Sequence, residues 1–296
     1  DCGLTDISAL AGLVNLTSLD IANNGITDIS VLAGMANLYK LFLDGNRIGD
    51  YAPIAAVYPN LEEKDFEYWE GRTDALIEPE NPQEIITFPD PMLETAVRKA
   101  LNRPEGDLTA GDAATIVKLE WDNEWQEQIP EEIKITDLTG LEYLINLRTL
   151  WLSFHAIDDI TPLQGLTGLV SLHIGGNGIT DLTALQNLTA LQELRIFGNG
   201  ITDLTPLKGL VHLQTLQLDN NSVSDLTPLS GLTELNDLSL CSNRITDVSP
   251  LAALQNLQML YLSDNPITDW SPLDSIIPNL LDTDIGQEEV QTDEQA

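Results

Sequence analysis

Cysteine, positive charge and aromatic rings are all scarce in this chain, and each shortage removes a class of explanation. Only two cysteines occur, Cys2 and Cys241, far apart in 296 residues. They make neither a disulfide framework nor a zinc motif, and they suit either redox compartment. Lys and Arg number 13 against 47 Asp and Glu, for a net charge of −34. Nucleic acid and anionic membrane are poor partners for such a chain, because binding them relies on basic side chains neutralising phosphate. No apolar run approaches the ~18 residues of a membrane span, so direct membrane insertion is not expected. No signal peptide is recognisable, and the chain opens on "DCGLTDI" without Met, which reads as a piece of a longer polypeptide.

Aromatics contribute only 5% of residues although 43% are hydrophobic, so the apolar content is mostly Leu and Ile. That content is periodic. Asn24 and Asn46 are 22 residues apart, and Asn177, Asn199, Asn221, Asn243 and Asn265 follow one another at the same interval. His155 falls one period before Asn177, and Cys2 one period before Asn24. Around each position runs L-x-x-L-x-L-x-x-N-x-I-x-D-L, with "LQTLQLDNNSVSDLTPLSGLTE" a complete copy. This is the leucine-rich repeat signature.

The spacing has a direct physical meaning. The L-x-L core is a short strand whose alternate side chains point to opposite faces, so Leu216 and Leu218 face inward and Gln217 outward. Successive strands stack as a parallel sheet, each turn burying its Leu/Ile set against the next. The ladder Asn has an amide that can satisfy backbone groups where the chain bends inward, and Cys2 and His155 are read as structural members of that ladder. After each strand comes I-T-D-L-T-P-L, in which Asp and Thr suit the cap of a short helical or 3-10 turn and Pro its first position.

The periodicity stops near Leu61 and resumes near Ile135. "VYPNLEEKDF" before the gap parallels "IIPNLLDTDI" near the C-terminus, each with one extra residue before Pro-Asn-Leu. The expected organisation is therefore two modules: the last rungs of a first array over 1–66, an acidic linker over 67–86, a helical cap over 87–134, a second array over 135–286, and an acidic tail over 287–296. Within the cap, "FPDPMLETAVRKALNRPEG" offers Asp90 as N-cap and Pro91 at the first helical position, with Leu93, Val97, Ala100 and Leu101 on one face. Thr109 and Asp112 form an Asp version of the capping box, leading toward a strand at 119–121. Between Trp121 and Ile135 roughly nine residues exceed the repeat spacing. Trp125 within them either packs on the cap or extends a binding edge.

The phrasing "NLTxLxxLxLxxNxITDLTPL" resembles the bacterial internalin type of leucine-rich repeat. "TFPDPMLETAVRKALNRPEGDLTAGD" resembles the helical cap that precedes such arrays, and "ITDLTGLEYLINLRTLWLS" the usual first repeat after it. The resemblance covers nearly the whole chain except the linker. It implies an α/β fold: a solenoid with a curved parallel sheet, short helical or 3-10 turns on the convex side, and a small α-helical cap. It also implies a secreted or cell-surface bacterial protein that binds other macromolecules through its concave face, without naming the partner.

Outward strand positions are where recognition would sit. The central column is Trp151, His173, Arg195, Gln217, Ser239 and Tyr261; the next includes Phe197, Asp219 and Cys241; a third includes Phe154, Gly176 and Gly198. Trp151, Phe154, His173, Arg195 and Phe197 cluster on three neighbouring rungs, and aromatics with Arg are favoured interface anchors. The cap could instead cover Trp151 and Phe154, and Tyr261 stands alone. Catalysis is not expected: three rungs, roughly 14 Å, separate His173 from Cys241, beyond reach for a base and its nucleophile. "DTDIG" at Asp282 starts like a calcium loop but lacks the remaining ligands. No metal or cofactor site is expected. The expectation is a monomeric, non-catalytic module that recognises a protein or glycan, the alternative being a structural spacer or targeting arm within a larger cell-surface enzyme.

Overall fold

The computed structural model describes residues 3–46, 48, 50–66, 76–121 and 133–285. Cys2, Trp125, most of the inserted segment, part of the linker and the acidic tail lie outside the described residues. The chain divides into two compact units, Asp1–Ile77 and Glu78–Ala296.

In the first unit, β1 (Ser18–Asp20), β2 (Lys40–Phe42) and β3 (Glu63–Lys64) form a parallel sheet in sequence order. Several inward Leu and Ile per rung build the core, among them Ile26, Ile29, Leu32, Leu38, Leu41 and Leu43, and Leu41 pairs in register with Leu19. Tyr51 is also fully buried, with its ring 5.9 Å from that of Phe66.

The second unit begins with a small cap. A short antiparallel pair, β4 (Ile85–Ile86) and β5 (Leu108–Thr109), flanks helix α1 (Pro91–Ala100), and helix α2 (Ala110–Ala113) follows. Asp90 caps α1 by accepting from Met92 N–H and Leu93 N–H with Oδ1. Its Oδ2 accepts from the Thr136 and Asp137 N–H groups and from the Thr136 hydroxyl, tying the helix start to the first repeat. Burial pushes the Asp90 pKa up, but these backbone hydrogen bonds outweigh it and hold the group below its ordinary value. Thr109 and Asp112 exchange both bonds of a capping box. The buried helix face uses Leu93, Ala96 and Val97, whereas Ala100 is exposed, contrary to its expected place, because the helix ends there and the chain turns away.

Eight parallel strands follow: β6 (Lys118–Glu120), β7 (Thr149–Trp151), β8 (Ser171–His173), β9 (Glu193–Arg195), β10 (Thr215–Gln217), β11 (Asp237–Ser239), β12 (Met259–Tyr261) and β13 (Asp282–Thr283), in unbroken sequence order. Leu150, Leu172, Leu194, Leu216, Leu238 and Leu260 occupy one register and are fully buried. Each is useless alone and covered by its neighbours, which makes the array cooperative along its length. On the opposite side run 3-10 turns such as Thr161–Leu163 and Thr205–Leu207. The recurring Asp does not sit at the cap of these turns. Asp159, Asp203 and Asp225 each accept from the N–H two residues on, closing an Asx turn one position earlier, and Pro occupies the second rather than the first turn residue.

The ladder is a chain of shared bonds. Asn221 donates Nδ2–H to Leu218 O within its own rung and to Ile196 O in the preceding one. Its Oδ1 accepts from Ile201 N–H, so a single amide stitches two rungs. His155 does the same work with a ring: Nδ1 accepts from Ile135 N–H at 3.1 Å, and Nε2 meets Trp121 O at 3.2 Å. Those partners require the Nε2–H tautomer. The preceding-rung carbonyl lies 25 residues back from Asn221 but 34 back from His155, a difference of nine that locates the insertion between Trp121 and Ile135.

Each array ends in the same way. Asp284 accepts from Leu262 N–H and Ser263 N–H, and Asp65 accepts from Leu43 N–H and Asp44 N–H. A carboxylate thus stands where the carbonyls of a further strand would be, closing an edge that would otherwise template more pairing.

Candidate recognition face

Alternate strand residues leave the sheet on the face away from the Leu core, which is concave in solenoids of this kind. Register places Glu120, Trp151, His173, Arg195, Gln217 and Tyr261 in one column of that face. Two residues earlier in each strand a parallel column carries Lys118, Ser171, Glu193 and Asp237.

These two columns interlock around Trp151. Its indole stacks on the His173 imidazole, with ring centroids 4.5 Å apart and planes 3° from parallel. Lys118, from the rung on the other side, stands over the same indole at 5.4 Å and pairs with Glu120 at 2.8 Å. The indole N–H donates to Ser171 Oγ at 3.0 Å, and that hydroxyl donates to Glu193 Oε2 at 2.8 Å. Glu193 Oε1 receives His173 Nε2 at 3.1 Å and Arg195 Nε at 2.7 Å. Burial alone would raise the Glu193 pKa, but the bonds from His173 and Ser171 and the charges of His173 and Arg195 bring it down to about 2.

The second aromatic group is seated on glycine. A Cβ at Gly175 would lie 2.5 Å from the Phe197 ring, and one at Gly176 would lie 2.6 Å from the Phe154 ring. The two phenyl rings meet at 5.5 Å and 56°. Phe154 belongs to a column that sequence reasoning placed on outward strand positions. It lies instead in the left-handed turn after each strand, with φ +64° at Phe154, +65° at Gly176, +61° at Gly198 and +55° at Asn220. A bulky side chain is costly there, while Gly and Asn are at ease.

Toward the C-terminal end the face becomes acidic. Asp219 Oδ1 accepts from the Ser239 hydroxyl and from Cys241 N–H, and Tyr261 OH donates to Asp282 Oδ2 at 2.9 Å. Burial raises the pKa of Asp237 and of the Cys241 thiol. Gln217 stands in register between Arg195 and Ser239, linking the two halves. Tyr261 is three strands from Arg195 and does not join the aromatic cluster.

The family model for leucine-rich repeats matches overlapping windows spanning 1–56 and 145–275. A crystal structure of internalin C2 from Listeria monocytogenes is 36% identical, with TM-score 0.54, covering 70% of this chain and 98% of that one. The chain is an internalin-type leucine-rich repeat protein. An internalin from the same organism, inlF, is 30% identical over 96% of this chain and 78% of its own, with TM-score 0.55. No curated protein matches significantly by sequence. Leucine-rich repeats of this type are protein-interaction modules and typically not enzymes.

For an internalin-type sheet the period-two rule that pointed to Trp151 and His173 also pointed two residues earlier, to Ser171 and Glu193. In the sequence Ser171 and Glu193 look like any solvated side chains, yet they hold His173 and Arg195 in place. Ser171, His173 and Glu193 do meet, but not as a proton relay. The hydroxyl donates to Glu193, and hydroxyl and carboxylate both approach the same His173 nitrogen, so no base is aligned by a third group. Among the described residues no group of His, Cys, Asp and Glu could hold a metal ion, and no helix is long and apolar enough to cross a membrane. Among the described residues Trp151 packs on His173 and Lys118, and Phe154 on Phe197 and Gly176.

Proposed function

We propose that this protein is a non-catalytic recognition module of a bacterial surface or secreted protein, binding a macromolecular partner on the concave face. The reading rests on the group Trp151, Phe154, His173, Arg195 and Phe197, which occupies three neighbouring rungs and contributes nothing to the Leu core. Phe154 strengthens it. A phenylalanine held at φ +64°, where other rungs carry Gly, Asn, Ser or Asp, keeps a strained backbone for the sake of its ring. Aromatic rings and Arg on a rigid sheet are the residue types that anchor interfaces. The family resemblance supports a surface or secreted setting and a role in adhesion or host interaction. The two repeat arrays are read as tandem modules joined by a segment that ends before β4, since Ile85–Ile86, expected in the linker over 67–86, pairs with the cap strand β5. The experiment is capture from extracts of host-cell and bacterial surfaces, comparing the intact chain with a variant lacking the aromatic–Arg group. Enrichment of the same partners by both would count against this face.

A further inference from the structure

Among the described residues the side chains around Trp151 are paired with one another, and Arg195 is paired at one end only. Glu193 takes Arg195 Nε, His173 and Ser171, and Lys118 is held by Glu120 and the indole. Among the described residues nothing accepts from either Nη of Arg195, whose side chain is 42% exposed. Asp237 feels its charge but forms no ion pair with it among the described residues. The guanidinium is therefore anchored through one nitrogen and offers its outer edge, the geometry that receives a carboxylate through two parallel bonds.

Phe197 lies two residues along the same strand line, on the same face, roughly 7 Å from Arg195. That is the spacing of alternate side chains on an extended polypeptide. Trp151 argues against a sugar as occupant. A pyranose is held by laying its C–H face on an open ring, and both faces of this indole are covered, by His173 and by Lys118. Phe197 has one face against Gly175.

We propose, building on the concave-face reading, that Arg195 and Phe197 together recognise an extended polypeptide bearing a carboxylate and a large apolar side chain at alternate positions. The carboxylate docks on the free edge of Arg195, and the apolar side chain covers the Phe197–Phe154 pair. Glu193 is the positioning residue that aims the fork.

The test uses a phage-displayed library of random 12-residue peptides selected on the intact chain. Enriched peptides are expected to carry Asp or Glu two positions from Phe, Leu, Ile or Trp. Their affinity should fall roughly 10- to 100-fold for Arg195→Gln, the loss expected of a charge-assisted pair. Arg195→Lys should not restore it, because an ammonium lacks the fork. Thermal midpoints of both variants should stay within a few degrees of the parent, since Arg195 lies outside the Leu core and only its part-exposed pair with Glu193 is altered. Failure to enrich any Arg195-dependent peptide overturns the proposal, as does Arg195-dependent binding confined to acidic oligosaccharides on a glycan array. Peptides lost by Trp151→Ala yet kept by Arg195→Gln overturn this proposal alone. Peptides indifferent to Trp151, Arg195 and Phe197 substitutions overturn the concave-face reading itself.

Discussion

The indole of Trp151 and the imidazole of His173 lie parallel on adjacent rungs, 4.5 Å apart, close to the spacing of the strands that carry them. The sheet itself therefore sets the stack. Each ring needs the other, so their contributions should not add. Urea unfolding of Trp151→Ala, His173→Ala and the double variant is expected to give a coupling of about 0.5–1.5 kcal/mol. A coupling near zero would mean that the rings touch without supporting one another.

His155 carries a pH dependence with a definite sign. Burial depresses its pKa, opposed more weakly by the Trp121 carbonyl and by Asp90. The unfolded state therefore binds a proton that the folded state resists. Stability from this group is complete above its ordinary pKa of about 6.5 and is lost as pH falls through that value toward the lower folded one. His155→Asn should flatten the stability profile between pH 7 and 5 while keeping a ladder amide. His155→Ala should cost roughly 2–4 kcal/mol, since the Ile135 N–H and Trp121 carbonyl both lose a buried partner. Denaturant midpoints measured across pH for the three proteins decide this, and parallel profiles would contradict it.

Asp90 joins the cap helix to the first repeat with two oxygens, each serving different donors. Asn keeps one acceptor oxygen and cannot serve both sets. Asp90→Asn is expected to destabilise the second unit by about 1–3 kcal/mol, and Asp90→Ala by more, through lost capping and orphaned N–H groups. Hydrogen exchange should show the amides of Met92, Leu93, Thr136 and Asp137 all losing protection in Asp90→Ala, but only one of the two pairs in Asp90→Asn. Loss confined to one side in Asp90→Ala would show that the carboxylate does not bridge.

Phe154 separates backbone strain from ring contact. Phe154→Gly relieves the left-handed conformation and loses the phenyl contact, so stability should change by no more than about 1 kcal/mol. Phe154→Val puts a β-branched residue at φ +64° and should cost about 1–3 kcal/mol. Thermal unfolding of the two variants gives the order directly, and Val as stable as Gly would refute the strain.

The architecture was legible because the repeat is itself a chemical requirement. A set of inward Leu and Ile, one ladder residue and one Asp recur every 22 residues because each rung must fill the same core and pair the same backbone groups. The cap helix was legible from Asp90 and Pro91 for similar reasons. The face was read less completely. Trp151 and His173 stand out as rare residue types, whereas Ser171 and Glu193 matter through bonds to Trp151, His173 and each other that mostly cross between rungs. The left-handed turn was hidden by Phe154 itself, although Gly176, Gly198, Asn220 and Asp264 at the same position carry its residue signature.

The central claim is that the aromatic–Arg group binds and does not hold the fold together. Its most direct test is the protein set enriched from surface extracts by the intact chain, compared with that enriched by Trp151→Ala/Arg195→Ala/Phe197→Ala. The expected result is loss of the partners captured by the parent, with a thermal midpoint only a few degrees lower, in keeping with about 1–2 kcal/mol of lost ring contacts. Undiminished capture of the same partners by the triple variant would contradict it.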